Sequence, residues 1–125
     1  VVLVVDDGKQ HVMLLRLALM QRGYAVIIVH TPEGAQTMLR ERSVDALIVT
    51  LVPASSAAAT LASLGESRPR VTVALADTTS DPAYASFDVA LPRPVDFGEL
   101  DIALRHHMKR HTSGTRARVK KQIAS

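Results

Sequence analysis

Val44-Asp45-Ala46-Leu47-Ile48-Val49-Thr50-Leu51-Val52-Pro53 is the stretch that decides the fold. Its apolar run is short and rich in Ile and Val, and a proline closes it. That pattern describes a strand buried on both faces that runs out into a loop. The chain opens on a second run of the same kind, Val1 to Val5, which Asp6-Asp7-Gly8 terminates. Neither run alternates polar with apolar residues, so neither is expected to face water on one side. Two such strands call for a parallel sheet covered on both faces.

Between and beyond these strands the spacing changes to helical. From Gln10 to Arg22, Val12, Leu15 and Leu19 form one stripe, with Leu14, Leu17 and Ala18 beside it, and Gly23 supplies a left-handed stop. Tyr24 to Val29 returns to strand. Thr31-Pro32-Glu33 then offers an N-cap, a proline at the first helical position and an acid in the first turn of a helix reaching about Arg42. After a third strand, Leu47 to Thr50, Ser55 or Ser56 is expected to cap an alanine-rich helix ending at Gly65. Val71 to Leu75 is the fourth strand. The turn residues Asp77 to Pro82 leave only Pro82 to Ser86 for a fourth helix, one turn long. Phe87 to Leu91 is the fifth strand, broken by Pro92-Arg93-Pro94. Asp96 with Glu99 opens the last helix, whose buried face is Leu100, Ala103, Leu104 and His107.

Strands alternating with helices imply right-handed βαβ units. The expected fold is α/β: a doubly wound, flavodoxin-like, five-stranded parallel sheet with helices on both faces and the fourth helix short or absent. Functional groups in such sheets gather beyond the C-terminal strand ends. Asp6, Asp7, Thr50, Ala76 and Arg93 all fall there, so they are expected to meet although the sequence scatters them.

The 125 residues suit one domain, which at this size buries roughly two thirds of its unfolded surface. Hydrophobic residues make up 47% of the chain and aromatics 3%, so the core is expected to be aliphatic. The absence of cysteine excludes disulfides and thiolate metal sites and accords with a cytoplasmic protein. No apolar stretch approaches the roughly 20 residues of a membrane span, and no membrane association is expected. Charge is divided along the chain. Residues 1 to 104 hold 8 basic and all 12 acidic groups, whereas residues 105 to 125 hold 7 basic groups and no acid. The pI near 9.7 therefore describes the end of the chain, not the folded body. Residues 1 to 111 are expected to form the domain, and 112 to 125 a basic tail or linker.

The order and spacing of these segments resemble the receiver domain of two-component response regulators, the CheY-like family. The likeness rests on the strand entering Asp6-Asp7, the Gly23-Tyr24-Ala25-Val26 turn, the Val44 to Val49 approach to strand three and the Arg93-Pro94-Val95-Asp96 junction. The resemblance implies an acidic pair at Asp6 and Asp7 that holds magnesium together with a third, phosphoaccepting aspartate. That third position is Thr50. A threonine hydroxyl forms no labile acyl phosphate. The family's hydroxyl residue at the end of strand four falls at Ala76, its strand-five aromatic at Ala90 and its lysine at Arg93. The chain is thus similar to a degenerate pseudo-receiver, with Asp6 and Asp7 as vestigial metal ligands.

A receiver pocket with three carboxylates and a lysine carries a formal charge of −2. Asp6, Asp7 and Arg93 sum to −1, less attractive to a hard divalent cation. Arginine's bidentate fork is expected to pair with Asp6 or Asp7 in place of the metal, leaving no cofactor. Asp7-Gly8-Lys9 lacks the spaced glycines of a nucleotide loop. His106, His107 and His111 invite a zinc reading, but adjacent helical residues diverge and helix-end histidines facing the dipole are the simpler account.

The functional expectation is a non-enzymatic, phosphorylation-independent module of two-component, phosphorelay-type signal transduction that binds a protein partner or forms a homodimer. Shortening of the fourth helix is expected to move pairing away from the family's usual face, either toward the first and last helices or into an unusual dimer. One alternative is the regulatory domain of a DNA-binding regulator whose output domain lies outside this sequence. Nucleic-acid contact would then come from that domain or from the basic tail, Arg110 to Lys121. Another alternative is phosphorylation at a residue other than aspartate.

Overall fold

Short parallel strands draw their stability from burial on both faces, and the sheet meets that demand at its centre. The structure is a computed structural model, which describes residues 1–8 and 12–108. Its strands are β1 (Val2–Val5), β2 (Val26–Val29), β3 (Ala46–Val49), β4 (Val71–Ala76) and β5 (Val89–Pro92). They form one parallel sheet in the order β2-β1-β3-β4-β5. β1, β3 and β4 are buried along their whole lengths, while the edge strands β2 and β5 are half-buried. β1 and β3 lie in matched register, Val5 opposite Val49, so Asp6 and Thr50 emerge side by side.

Alternation along the strands divides the core in two. On one face Leu3, Val5, Leu47 and Val49 pack against α2 (Pro32–Glu41) and α3 (Ala54–Leu64), together with Tyr84 and Phe87. On the other, Val2, Val4, Ile48 and Val73 meet Leu15 and Leu19 of α1 (Met13–Gln21) and Leu100 and Leu104 of the last helix, residues 97–108. A doubly wound sheet covered on both faces is what the apolar runs require.

Local chemistry sets most boundaries. Thr31 Oγ1 accepts from Gly34 N at 3.0 Å with Pro32 at the first helical position of α2, and Asp96 Oδ1 accepts from Glu99 N at 3.0 Å to open the last helix. Gly23 adopts φ +92°, the left-handed turn that leads α1 toward β2. The expected fourth helix is a single 3-10 stretch over Pro82–Ser86, capped by Asp81 Oδ1, which accepts from Ala83 N at 2.9 Å.

Three local expectations are corrected. α3 begins at Ala54 with Pro53 at the cap and no side-chain cap bond, so neither Ser55 nor Ser56 plays that part. β5 starts at Val89, because Asp88 instead bonds back to β4, its Oδ2 accepting from Thr72 N at 2.7 Å. Leu14 and Leu17 do not flank the core. They are 70% and 48% exposed, because Leu15, Ala18 and Leu19 already fill the sheet-facing side of α1. The basic tail, His111 and the Lys9-Gln10 segment lie outside the described residues.

Asp101 joins the helices that share one face of the sheet. It accepts from Arg105 Nε at 2.9 Å and Tyr24 Oη at 3.0 Å and pairs with Arg22 Nε at 3.6 Å. The Arg105 hydrogen bond, helped by Tyr24, holds the Asp101 carboxyl below its ordinary value against the opposing effect of burial. A carboxyl depressed in the folded state stabilises above its unfolded pKa, and that contribution is lost as pH falls through its folded value. Asp101→Asn is therefore expected to lower stability at neutral pH and to flatten its decline with acid, measured by urea unfolding across a pH series.

Candidate functional site

Parallel strands leave their last carbonyls and the residues just beyond them at one edge. Asp6 follows β1, Thr50 follows β3, Ala76 ends β4 and Arg93 follows β5. The four do converge. Asp6 and Thr50 are 1% and 2% exposed, and Thr50 Oγ1 donates to Asp6 Oδ1 at 2.7 Å. The second carboxylate oxygen, Oδ2, accepts from Gly8 N at 2.8 Å. Both oxygens of the buried acid are thus engaged within the protein, as a buried carboxylate requires.

Arg93 takes a different route from the one expected. Its Nε donates to the Leu75 carbonyl at 3.2 Å, and one terminal nitrogen donates to Leu75 O at 2.8 Å and also to Thr50 O. Of the two acids expected to take the fork, Asp6 or Asp7, Asp6 is bonded instead to Thr50 and Gly8. Thr50 and Gly8 supply the partners of Asp6, while the outward carbonyls of Leu75 and Thr50 draw the guanidinium. The fork thereby ties the end of β4 to the residue after β3, and Arg93 N donates to Ala76 O at 3.0 Å. Asp7, adjoining Asp6, is half-buried.

The remaining positions are apolar and packed. Ala76 is fully buried, and Ala90 pairs with Ala74 in the sheet while packing beside the cluster that holds Tyr84 and Phe87. His30, which the sequence pattern did not single out, places Nδ1 2.8 Å from the Asp6 carbonyl, a contact that requires the proton on Nδ1. A histidine directly after β2, beside the residue after β1, was the available signal. A cavity of about 320 Å³ lies between α1 and residues 93–97, floored by Thr50 and Leu75.

Three solved structures share this architecture. The signal receiver domain of an HD domain-containing protein from Pseudomonas fluorescens Pf-5 aligns with a TM-score of 0.76 at 22% identity, covering 90% of this chain and 96% of that one. A CheY-like response regulator receiver domain from Methylobacillus flagellatus gives 0.72 at 22%, covering 85% and 96%. The response regulator TrrA from Thermotoga maritima, in complex with Mg²⁺ and BeF, gives 0.70 at 21%, covering 85% and 96%. The fold is the receiver fold. No family model and no curated protein matches the chain.

The position after β3 offers a hydroxyl whose proton points at Asp6, and the carbonyl of the same residue accepts from a guanidinium. A hard divalent ion needs about six oxygen ligands. Among the described residues no group of three or more acidic or histidine side chains stands together to supply them. Among the described residues the histidines join no metal-ligand group; His106 and His107 sit edge to face with ring centroids 5.3 Å apart. Among the described residues no helix is long and apolar enough to cross a membrane.

Proposed function

We propose that the chain is a pseudo-receiver, a signalling module that keeps the receiver fold as a protein-interaction surface and works without aspartyl phosphorylation or bound magnesium. One observation carries this reading: the buried side chain after β3 is a threonine spent on a hydrogen bond to Asp6. A nucleophile must be free to approach its phosphodonor, and the product must be an acyl phosphate for exchange with a histidine kinase. Thr50 Oγ1 meets neither condition.

Exposed apolar surface supports the interaction role. Met13, Leu14, Leu17 and Met20 are 59%, 70%, 48% and 49% exposed on α1, and Ile102 is exposed on the last helix. At three- and four-residue spacing, Met13, Leu17 and Met20 form one stripe on the side away from the sheet. Contiguous apolar patches on a monomer mark contact sites. A partner or a second copy covering this stripe would desolvate it at little electrostatic cost, because α1 carries no acid and its only cation is Arg16.

Incubation with a small-molecule phosphodonor and magnesium, followed by intact-mass measurement, is expected to leave the mass unchanged; a phosphate adduct on the wild-type chain would end this reading. Leu17→Glu is expected to weaken self-association or partner capture about tenfold or more, since it buries an unpaired carboxylate in the contact. Solution scattering over a concentration series checks it, with Ala59→Glu on the exposed side of α3 as the control.

A further inference from the structure

The cavity of about 320 Å³ beside α1 and the exposed stripe of that helix are parts of one surface. Leu14 belongs to both, because it lines the cavity and is also 70% exposed. Leu15, Val95 and Phe97 continue the wall above a floor of Thr50 and Leu75. A recess this apolar gives water few partners. Ile102 carries the surface onto the last helix, since it follows Asp101, whose carboxylate pairs with Arg22 at the end of α1. Met13, Leu14, Leu17, Met20 and Ile102 together expose the area of about three whole residues, roughly 600 Å² per copy and roughly 1,200 Å² for a pair, above the roughly 1,000 Å² that a specific interface has to clear.

We propose that this surface pairs with a second copy of itself about a two-fold axis, Leu14 of each copy entering the cavity of the other and closing it over Thr50. The inference rests on the pseudo-receiver reading, in which this face serves contact, and it adds the occupant. A two-fold contact brings one patch against itself, so the patch must carry both a projection and a recess, and its centre must be uncharged because a charge there would meet its like. The surface meets both demands. Leu14 projects beside the recess that it lines. No acid lies on α1, and Arg16, two positions from Leu14 and so about 200° around the helix, stands on the side away from the cavity. The charges beside Ile102 are spent on each other, Arg105 Nε lying 2.9 Å from Asp101 Oδ1. A small molecule would fill the recess but leave Met13, Leu17 and Met20 in water. Closure sets an apolar side chain above the buried Thr50–Asp6 hydrogen bond, so pairing excludes water further from the strand-end cluster.

Sedimentation velocity of the full chain from about 10 μM to about 1 mM is expected to show a reversible equilibrium between monomer and dimer. Leu14→Ala, a change at an exposed position, is expected to weaken it about tenfold, the loss of an anchor seated in a pocket. Disulfide trapping locates that anchor. The chain has no cysteine, so isotopically labelled Leu14→Cys mixed with unlabelled Val95→Cys under mild oxidation joins only separate copies whose residues come within a disulfide's reach. The mass of each adduct identifies its two halves. The mixed adduct is expected to exceed that from either variant alone and that from Leu14→Cys mixed with Ala62→Cys on the exposed side of α3. A chain that stays monomeric throughout would overturn the proposal and assign the surface to a different protein. A dimer that Leu14→Ala leaves intact, or a mixed adduct no more abundant than the Ala62 control, would overturn it in favour of another face. Neither failure touches the pseudo-receiver reading, which falls only if phosphodonor treatment adds mass to the chain.

Discussion

Thr50→Asp is expected to cost on the order of 3 kcal/mol of folding stability in metal-free buffer, seen as a lower urea midpoint with an unchanged slope. The hydroxyl it removes lies 2.7 Å from Asp6 Oδ1, and both residues are buried. A second carboxylate there exchanges a hydrogen bond for like-charge repulsion in a desolvated place. Two carboxylates that close cannot both ionise easily, so the loss is expected to shrink as pH falls and one of them takes a proton. Magnesium is expected to restore part of the stability at neutral pH, because the third carboxylate supplies the oxygen that Thr50 withholds. Thr50→Val separates the effects. It removes the donor without adding charge and is expected to cost about 1–3 kcal/mol, the penalty for an unsatisfied buried acceptor, with no response to magnesium. Equal losses for the two variants would show that charge plays no part at this position.

Arg93→Ala is expected to cost about 2 kcal/mol and to loosen the strand ends before the rest of the sheet. The side chain is half-buried and donates to carbonyls at two neighbouring strand ends. Those carbonyls have lost their ladder partners where the strands stop, and the variant leaves them to water or to nothing. Arg93→Lys keeps the charge but cannot reach Leu75 and Thr50 with a planar fork, so it is expected to fall between wild type and alanine. Hydrogen exchange is the measurement. Faster exchange at Ala76 and Arg93 relative to Val4 and Ile48 is the expected pattern, and uniform acceleration across the sheet would show that Arg93 acts only through global stability.

The fold was legible because its strands are unambiguous. Val1 to Val5 and Ala46 to Val49 are unbroken apolar runs, Val71 to Leu75 is interrupted only by Thr72, and a sheet covered on both faces accommodates all three. Proline and turn chemistry between Asp77 and Pro82 also marked the reduction of the fourth helix. Side-chain direction was harder to read. Leu14 and Leu17 have the composition of core residues, but one helix face holds only about three such rows, and Leu15, Ala18 and Leu19 took the places against the sheet. The cap of α3 was misassigned because serine is a strong capping residue wherever it occurs, whereas the chain actually enters that helix through Pro53 in extended conformation.

Convergence of Asp6, Thr50, Ala76 and Arg93 at one edge followed from topology alone, since parallel strands deliver their C-terminal ends together. The pairing inside the cluster did not follow. Charge arithmetic favoured an Arg93–carboxylate clamp, but it ignored the main chain: carbonyls at strand ends compete for a guanidinium, and a short hydroxyl at position 50 reaches Asp6 first.

Binding of magnesium by the wild-type chain, followed by isothermal titration calorimetry and by the amide resonances of Asp6, Asp7 and Thr50, tests the central claim most directly. The hydrogen bonds at Asp6 and Thr50 predict no saturable heat and no saturable shift at those three amides up to millimolar metal. Saturation in the micromolar range, with shifts centred on Asp6 and Thr50, would contradict it.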